Sequence, residues 1–315
     1  MTVLVTGASG FVGRAVWLRL NGMSGVTAVG SVRRAGIANA GASLVSVGEI
    51  SAKTDWSAAL AGVHAVVHTA ARVHVMQEAA ANPLDEFRRV NVQGTLNLAR
   101  QAAAAGVRRF IFVSSIKVNG ESTHPGQPFT AGDVHAPLDA YGVSKMEAEQ
   151  GLRELETQTG MDVVIIRPPL VYGPGVKANF AAMMRWLQRG VPLPLGAIHN
   201  QRSLVALDNL VDLIVTCLTH PAAANQTFLV SDGQDVSTTE LLRRMGSAMG
   251  CPARLVPVPV SWLKVAATLV GKPDVAQRLC SSLQVDIAKT RDLLGWRPPL
   301  SLDEGLKKAA QGYGC

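Results

Sequence analysis

Thr2-Val3-Leu4-Val5-Thr6-Gly7-Ala8-Ser9-Gly10-Phe11-Val12-Gly13 opens the chain with a short β-branched run, a glycine turn and an amphipathic helix that reaches about Leu20. Strand, glycine turn and helix in this order point to an α/β protein built on a parallel sheet. Small residues are needed at this place because the backbone turns tightly, comes close to a pyrophosphate and packs the helix against the strand. The helix N-terminus then offers amide donors and a positive dipole to the phosphates. Gly7, Gly10, Phe11, Val12 and Gly13 are accordingly candidate dinucleotide contacts.

The following elements repeat the alternation. A second strand runs from about Val26 to Val32, and the position after it is acidic in folds of this kind that bind a free ribose 2′-hydroxyl. Ser31-Val32-Arg33-Arg34 places two arginines there instead, and a guanidinium fork matches a 2′-phosphate. NADP(H) is favoured on this ground, with NAD(H) left open. Gly48-Glu49-Ile50 closes the third strand, where the Glu49 carboxylate can take the adenine amino group and the Ile50 backbone a ring nitrogen. Val63 to His68 forms the fourth, followed by Thr69, Ala70 and Ala71, whose small side chains let a ribose lie close. His68 is read as lining the same channel. Asn82-Pro83 starts a helix that Gly106 closes. Asn91 on that helix, also a candidate cofactor contact, is polar within an apolar face and needs a partner, which we expect to be the strand carrying the hydroxyls described next.

Arg109 to Ser114 is the fifth strand. It delivers Ser114-Ser115-Ile116-Lys117-Val118-Asn119-Gly120 at its carboxyl end, where parallel sheets hold their ligands. After a proline-rich connection, Asp139 caps a helix whose first turns read Tyr141-Gly142-Val143-Ser144-Lys145. Residues four apart share a helix face. An ammonium about 4 Å from a phenol is worth roughly 4 kcal/mol at an effective dielectric of ~20, enough to lower its pKa from ~10 by up to about three units. Tyr141 would then be poised as a proton donor. Asp162 to Arg167 forms a sixth strand, and Gln226 to Ser231 returns as another.

The 315 residues, 48% hydrophobic and 17% charged, describe an ordered globular chain of one large or two modest domains. Its net charge of +7 comes from single or paired bases without a basic run, which favours an anionic small ligand over nucleic acid. The 4 cysteines show neither metal-ligand spacing nor framework density. With no charged leader and no apolar stretch of spanning length, a reduced cytoplasmic protein is expected, without disulfides, bound metal or membrane partner.

Taken in order, TGASGFVG, HTAA, NVQGT, SSIKVNG, YGVSK and RPPLVYGPG resemble the extended short-chain dehydrogenase/reductases, more narrowly their NAD-dependent epimerase/dehydratase, nucleotide-sugar branch. The resemblance implies a Rossmann doubly wound parallel sheet over residues 1–170, with 205–231 packing back on it. Residues 171–315 would form a smaller, mainly helical substrate-binding domain. It implies Ser115, Tyr141 and Lys145 as catalytic residues, with Lys145 also holding the nicotinamide ribose, and Pro168 beside the nicotinamide ring. Asn179 and Arg202 would meet the nucleotide diphosphate, Arg278 would be a second phosphate contact, and Lys117 adds a cation beside the substrate. Ser203 departs from the acidic residue usual after that arginine. Ile116-Lys117 stands where sugar dehydratases carry an acidic residue, which disfavours dehydration. The SSIKVNGE wording is similar to a bacterial surface-polysaccharide subgroup. It implies NAD(P)H-dependent reduction of a UDP-4-keto-6-deoxy-N-acetylhexosamine, the alternative being a UDP-sugar 4-epimerase with tightly bound NAD. A non-catalytic dinucleotide sensor is disfavoured because all three catalytic residues are present. Sugar stereochemistry would be set by residues such as Val73, His74 and Met76. A homodimer is expected through the helices near Leu84 to Ala105 and Tyr141 to Gly160.

Overall fold

Alternation along the strands decides which way each side chain faces. Val3, Val5, Val67, Ile111, Val113, Val164 and Ile166 bury on one face of the sheet. Leu4, Val66, Phe110, Phe112, Val163 and Ile165 bury on the other. A sheet buried on both faces needs helices on both, as a parallel α/β arrangement supplies. The computed structural model describes residues 1–34, 44–73, 82–311 and 313. Through the sheet region the elements are β1 (Thr2–Thr6), α1 (Phe11–Asn21), β2 (Thr27–Val32), β3 (Leu44–Ser46), α2 (Ser57–Leu60), β4 (Ala65–His68), α3 (Pro83–Phe87), α4 (Thr95–Ala104), β5 (Arg109–Val113), α5 (Ala140–Thr159) and β6 (Asp162–Arg167). Beyond it come β7 (Leu170–Tyr172), α6 (Ala178–Gln188), β8 (Leu204–Ala206), α7 (Leu207–Thr219), β9 (Thr227–Leu229), α8 (Thr238–Met249), α9 (Val260–Leu269), α10 (Pro273–Cys280), α11 (Ala288–Leu294) and α12 (Leu302–Ala309).

The main sheet is seven-stranded, ordered β3-β2-β1-β4-β5-β6-β9, and every pairing within it is parallel. Order reverses beside β1, which is the doubly wound Rossmann arrangement, and this switch point is where such sheets hold a dinucleotide. Register aligns the carboxyl ends there, with Thr6 level with Ser31 on one side and His68 on the other. The returning strand β9 adds to β6 as the seventh. β3 ends at Ser46, so Glu49 and Ile50 lie in the turn beyond it rather than closing the strand.

A second hydrophobic core joins α6, α8 and α12 through Phe180, Met184, Leu242, Met245, Leu302 and Leu306. β7 and β8 form a separate parallel pair beneath it. The later segment holding Leu283, Val285, Ile287, Leu294 and Trp296 buries on the sheet's own core instead, so the last third of the chain is shared between the two cores. Among the described residues Cys217 and Cys280 are free, whereas Cys251 is disulfide-bonded. That corrects the expectation of a chain without disulfides.

Candidate active site

The glycine turn is closed by contact. Gly7 has φ +69°, a region that side chains other than glycine rarely adopt, and a Cβ there would meet Ala70 at 3.0 Å. A Cβ on Gly13 would lie 2.2 Å from the Gly7 carbonyl oxygen and 2.5 Å from Thr69 Oγ1. The Thr69 hydroxyl cannot yield freely, since it donates to the Thr6 carbonyl at 2.6 Å. α1 starts at Gly10 with no side-chain cap and no acidic residue in its first turn, so its leading amides suit a phosphate. Gly7, Gly10, Phe11, Val12, Gly13, Thr69, Ala70 and Ala71 thus gather at the carboxyl ends of β1 and β4, and the cradle fits a dinucleotide pyrophosphate. Arg33 and Arg34 follow β2 directly and are exposed. Glu49 is exposed, its carboxylate 3.7 Å from Arg89, while Ile50 is buried.

Two polar side chains take other places than expected. His68 is buried among Phe110 and Phe112, shares hydrogen bonds with the Thr6 hydroxyl at 2.7 Å and the Thr95 hydroxyl at 2.9 Å, and so belongs to the core and not to the channel. Burial first, then the Lys145 charge, pulls its pKa down to about 3. Asn91 does not reach β5. Its amide accepts from the Arg72 N–H at 2.8 Å, donates to the Arg72 carbonyl at 3.0 Å and donates to the Ser144 hydroxyl at 3.0 Å. It therefore ties its helix to the segment after β4 and to α5. A π-helical segment, Arg88–Gly94, joins α3 to α4 and carries Asn91. Such insertions recur at functional sites because they re-aim one side chain without ending the helix. Of the residues named for sugar stereochemistry, Val73 is exposed, and His74 and Met76 lie outside the described residues.

The catalytic candidates come from β5 and α5. Ser115 caps a short 3-10 turn, Ile116–Val118, its hydroxyl accepting from the Lys117 N–H at 3.3 Å. The first turn of α5 rests on that turn, since a Cβ on Gly142 would stand 3.0 Å from the Lys117 carbonyl oxygen. Asp139 caps α5 by accepting from the Gly142 N–H at 2.7 Å, and its other oxygen takes the Lys117 ammonium. Lys117 also reaches Glu121 at 3.0 Å. Its charge thus helps to fasten the turn that holds Ser115 to the helix that holds Tyr141. Pro168 lies behind the same turn, its carbonyl accepting from the Ile116 N–H at 3.0 Å.

Lys145, only 2% exposed, donates to the Val113 carbonyl at 2.8 Å and stands 4.1 Å above the Phe112 ring. Burial pulls its pKa down to about 7, with the Glu149 carboxylate acting the other way. Tyr141 packs edge-on against Phe87 at 6.1 Å. Burial, and after it the Asp139 carboxylate, pushes its phenol pKa up rather than down. The expected depression by Lys145 does not appear, because burial dominates the phenol. Tyr141 is held protonated, the state of a proton donor.

Sequence reasoning missed the buried pair beneath these residues. Glu149 and Arg167 are each 2% exposed, and Arg167 Nε and Nη2 donate to the two Glu149 oxygens at 2.6 to 3.2 Å. Glu149 also accepts from the Ser114 hydroxyl at 2.5 Å, and Arg167 donates to Asn119 at 3.0 Å and to His135 at 2.7 Å. The network links β5, β6 and α5 directly behind Ser115 and Lys145. A signal was available, since Tyr141, Lys145 and Glu149 recur every four residues on one helix face.

On the far side, Asn179 is exposed in the first turn of α6. Arg202 holds a neighbouring segment with one arm of its guanidinium. Its Nη1 donates to the Arg278 carbonyl at 2.7 Å and the Ser281 carbonyl at 3.2 Å, closing the end of α10, and burial lowers its pKa. The Arg278 side chain is exposed on α10.

A glycine cradle at the switch point, a serine at the end of β5 and a Tyr-x-x-x-Lys helix packed on it agree with the family comparison, in which the NAD dependent epimerase/dehydratase family model matches residues 3–231. The chain belongs to this family. This epimerase/dehydratase is an NAD-dependent enzyme of the extended short-chain dehydrogenase/reductase type. It is 52% identical over 313 residues to a UDP-glucose 4-epimerase of Vibrio cholerae, covering 99% of this chain and 95% of that one. Its fold is similar to that of UDP-glucuronic acid 4-epimerase from Bacillus cereus, solved with NAD (TM-score 0.80, 21% identity, 99% and 98% coverage). It is similar also to that of UDP-glucose 4-epimerase from Thermotoga maritima, solved with UDP-glucose (TM-score 0.78, 22% identity, 99% and 98% coverage).

Proposed function

We propose that the enzyme interconverts UDP-sugars that differ in configuration at C4. The observation that carries this reading is the 52% identity, along 99% of the chain, to a protein named UDP-glucose 4-epimerase. Bound NAD would supply a reversible hydride acceptor, and the Gly7–Gly13 cradle with Thr69 to Ala71 would hold it. Tyr141 moves the proton at the C4 oxygen, Ser115 hydrogen-bonds that oxygen, and Lys145 stands one helical turn on from Tyr141 along α5. Ile116 and Lys117 follow Ser115 and offer no carboxyl group for eliminating water. The test is to incubate purified enzyme with UDP-glucose and no added cofactor, and to denature a second sample to release nicotinamide. UDP-galactose should form, NAD should be liberated, and Tyr141→Phe should slow turnover by about 10²–10⁴-fold. Absence of interconversion with a folded, NAD-loaded protein would reject the reading.

A second reading rests on Arg33 and Arg34, which directly follow β2 and suit a 2′-phosphate. Under it the enzyme uses NADPH to reduce the 4-keto group of a UDP-4-keto-6-deoxy-N-acetylhexosamine, in the making of surface-polysaccharide sugars. Stoichiometric oxidation of exchangeable NADPH by that substrate would select it over epimerisation.

A further inference from the structure

We propose that α9 is a docking helix that lies in the interface of an anionic phospholipid bilayer and holds the enzyme at a membrane surface. α9 has two apolar faces. Val260 and Leu263 turn inward and pack on the second core. Trp262, Val265 and Leu269, spaced three and four apart, form the opposite face and are 72%, 61% and 82% exposed. Val270 continues the strip at 70% exposed, and no residue of α9 is buried. Four large apolar side chains in one strip are a patch with a purpose and not scattered surface residues.

The charge around the strip says what covers it. Residues 251–285 carry four bases, Arg254, Lys264, Lys272 and Arg278, against one acid, Asp274. All four bases are exposed. The neighbouring stretch 185–196 adds Arg185 and Arg189 and no acid, and it is stitched to the segment leading into α9 by the Leu193–Leu255 bridge. A tryptophan and aliphatic side chains within a basic surround are the pattern of an interfacial helix, where apolar side chains enter the acyl boundary and bases meet lipid phosphates. A protein partner would need its own acidic rim, whereas anionic lipid presents one everywhere. No helix among the described residues is long and apolar enough to cross a membrane, so attachment is by lying on the surface. This departs from the expectation of no membrane partner, and it stands whichever sugar reaction the enzyme performs.

The experiment is flotation of the full-length enzyme with vesicles of phosphatidylcholine alone or with phosphatidylglycerol added, at low and high salt. Binding to the anionic vesicles should exceed binding to the neutral ones by about tenfold and fall with salt. The double variant Trp262→Ser/Leu269→Ser should lose binding by about tenfold or more while its turnover of a water-soluble UDP-sugar stays unchanged. Brominated lipid should quench fluorescence of the wild type and not of Trp262→Phe. Failure of the wild type to float, or equal flotation of the double variant, overturns the proposal. So does light scattering in which the double variant alone falls to a smaller oligomer and neither form floats, because the strip is then a contact between copies of the chain.

Discussion

Replacing Glu149 by glutamine isolates what the buried pair contributes. The substitution removes one charge and leaves the Arg167 guanidinium, 2% exposed, facing a neutral amide that must also replace the acceptor for the Ser114 hydroxyl. Breaking a buried pair in this way costs about 3–5 kcal/mol. With an unfolding entropy of about 2.1 cal/mol/K per residue over 315 residues, a loss of about 4 kcal/mol lowers Tm by roughly 6 °C. The double variant Glu149→Leu/Arg167→Met removes both charges, so no ion is stranded, and it should recover at least half of that loss. Calorimetry of the three proteins in one buffer measures this. A second readout separates tuning from stability. The Glu149 carboxylate opposes the burial that brings Lys145 down to about 7, so Glu149→Gln should lower the Lys145 pKa further. If charged Lys145 supports Tyr141, the alkaline limb of the kcat/KM profile moves to lower pH in the variant. A Tm drop under about 2 °C, or a double variant less stable than the single, would refute the energetic argument. An unmoved alkaline limb would refute the electrostatic one.

Gly13→Ala places a methyl group 2.2 Å from the Gly7 carbonyl oxygen, so the turn must open. We expect about 1–3 kcal/mol of destabilisation, and purified protein depleted of nicotinamide on denaturation; full NAD content would contradict the cradle. Acid should weaken the protein through His68. Its folded pKa of about 3 lies below the ordinary 6.5, so the unfolded chain binds more protons between those values, and stability is lost as pH falls through that window. About 2 kcal/mol should go between pH 7 and pH 5 by urea titration, and the loss should shrink in His68→Asn; equal losses would exclude His68 as the source. Arg33→Ser/Arg34→Ser should leave NAD-supported turnover within about twofold of the wild type, while any NADPH affinity falls by about tenfold, as expected for losing charge-assisted contacts to a phosphate. Matched Kd measurements for the two nucleotides check it.

Short-range patterns carried most of the fold. The β-branched runs, the glycine turn, the cap at Asp139 and the proline at Pro83 each act within a few residues, so strand and helix positions were legible to within a residue or two for β1, β2, β5, β6 and α5. The third strand was misplaced because Glu49 and Ile50 lie in the turn after it. Site positions were legible for the same reason. A serine ending a strand and a Tyr-x-x-x-Lys helix can be read as text, and the structure sets their two elements against each other through Gly142 and Lys117. What each polar group spends its hydrogen bonds on was not legible. His68 goes to two threonine hydroxyls, Asn91 to Arg72 and Ser144, Lys117 to Asp139 and Glu121, and Arg202 to the end of α10. Of the six residues that His68, Asn91 and Lys117 bond, five are reached only by folding distant segments together, Glu121 alone being one turn from Lys117, and local spacing says nothing about those five.

The first dozen residues by themselves determined a parallel α/β sheet with a phosphate-binding turn, because glycine dihedrals and strand propensity are local properties of the chain. The YGVSK helix likewise set which residues could do chemistry at the sugar. Tertiary structure alone decided the electrostatics of that chemistry. Burial raised Tyr141, lowered Lys145 to about 7, and enclosed Glu149 with Arg167 behind them, since desolvation and Coulomb interaction depend on what surrounds a group in space and not on its neighbours in sequence. It alone also left Trp262, Val265 and Leu269 uncovered on a helix whose composition reads as core, because exposure is settled by which face the rest of the fold happens to pack.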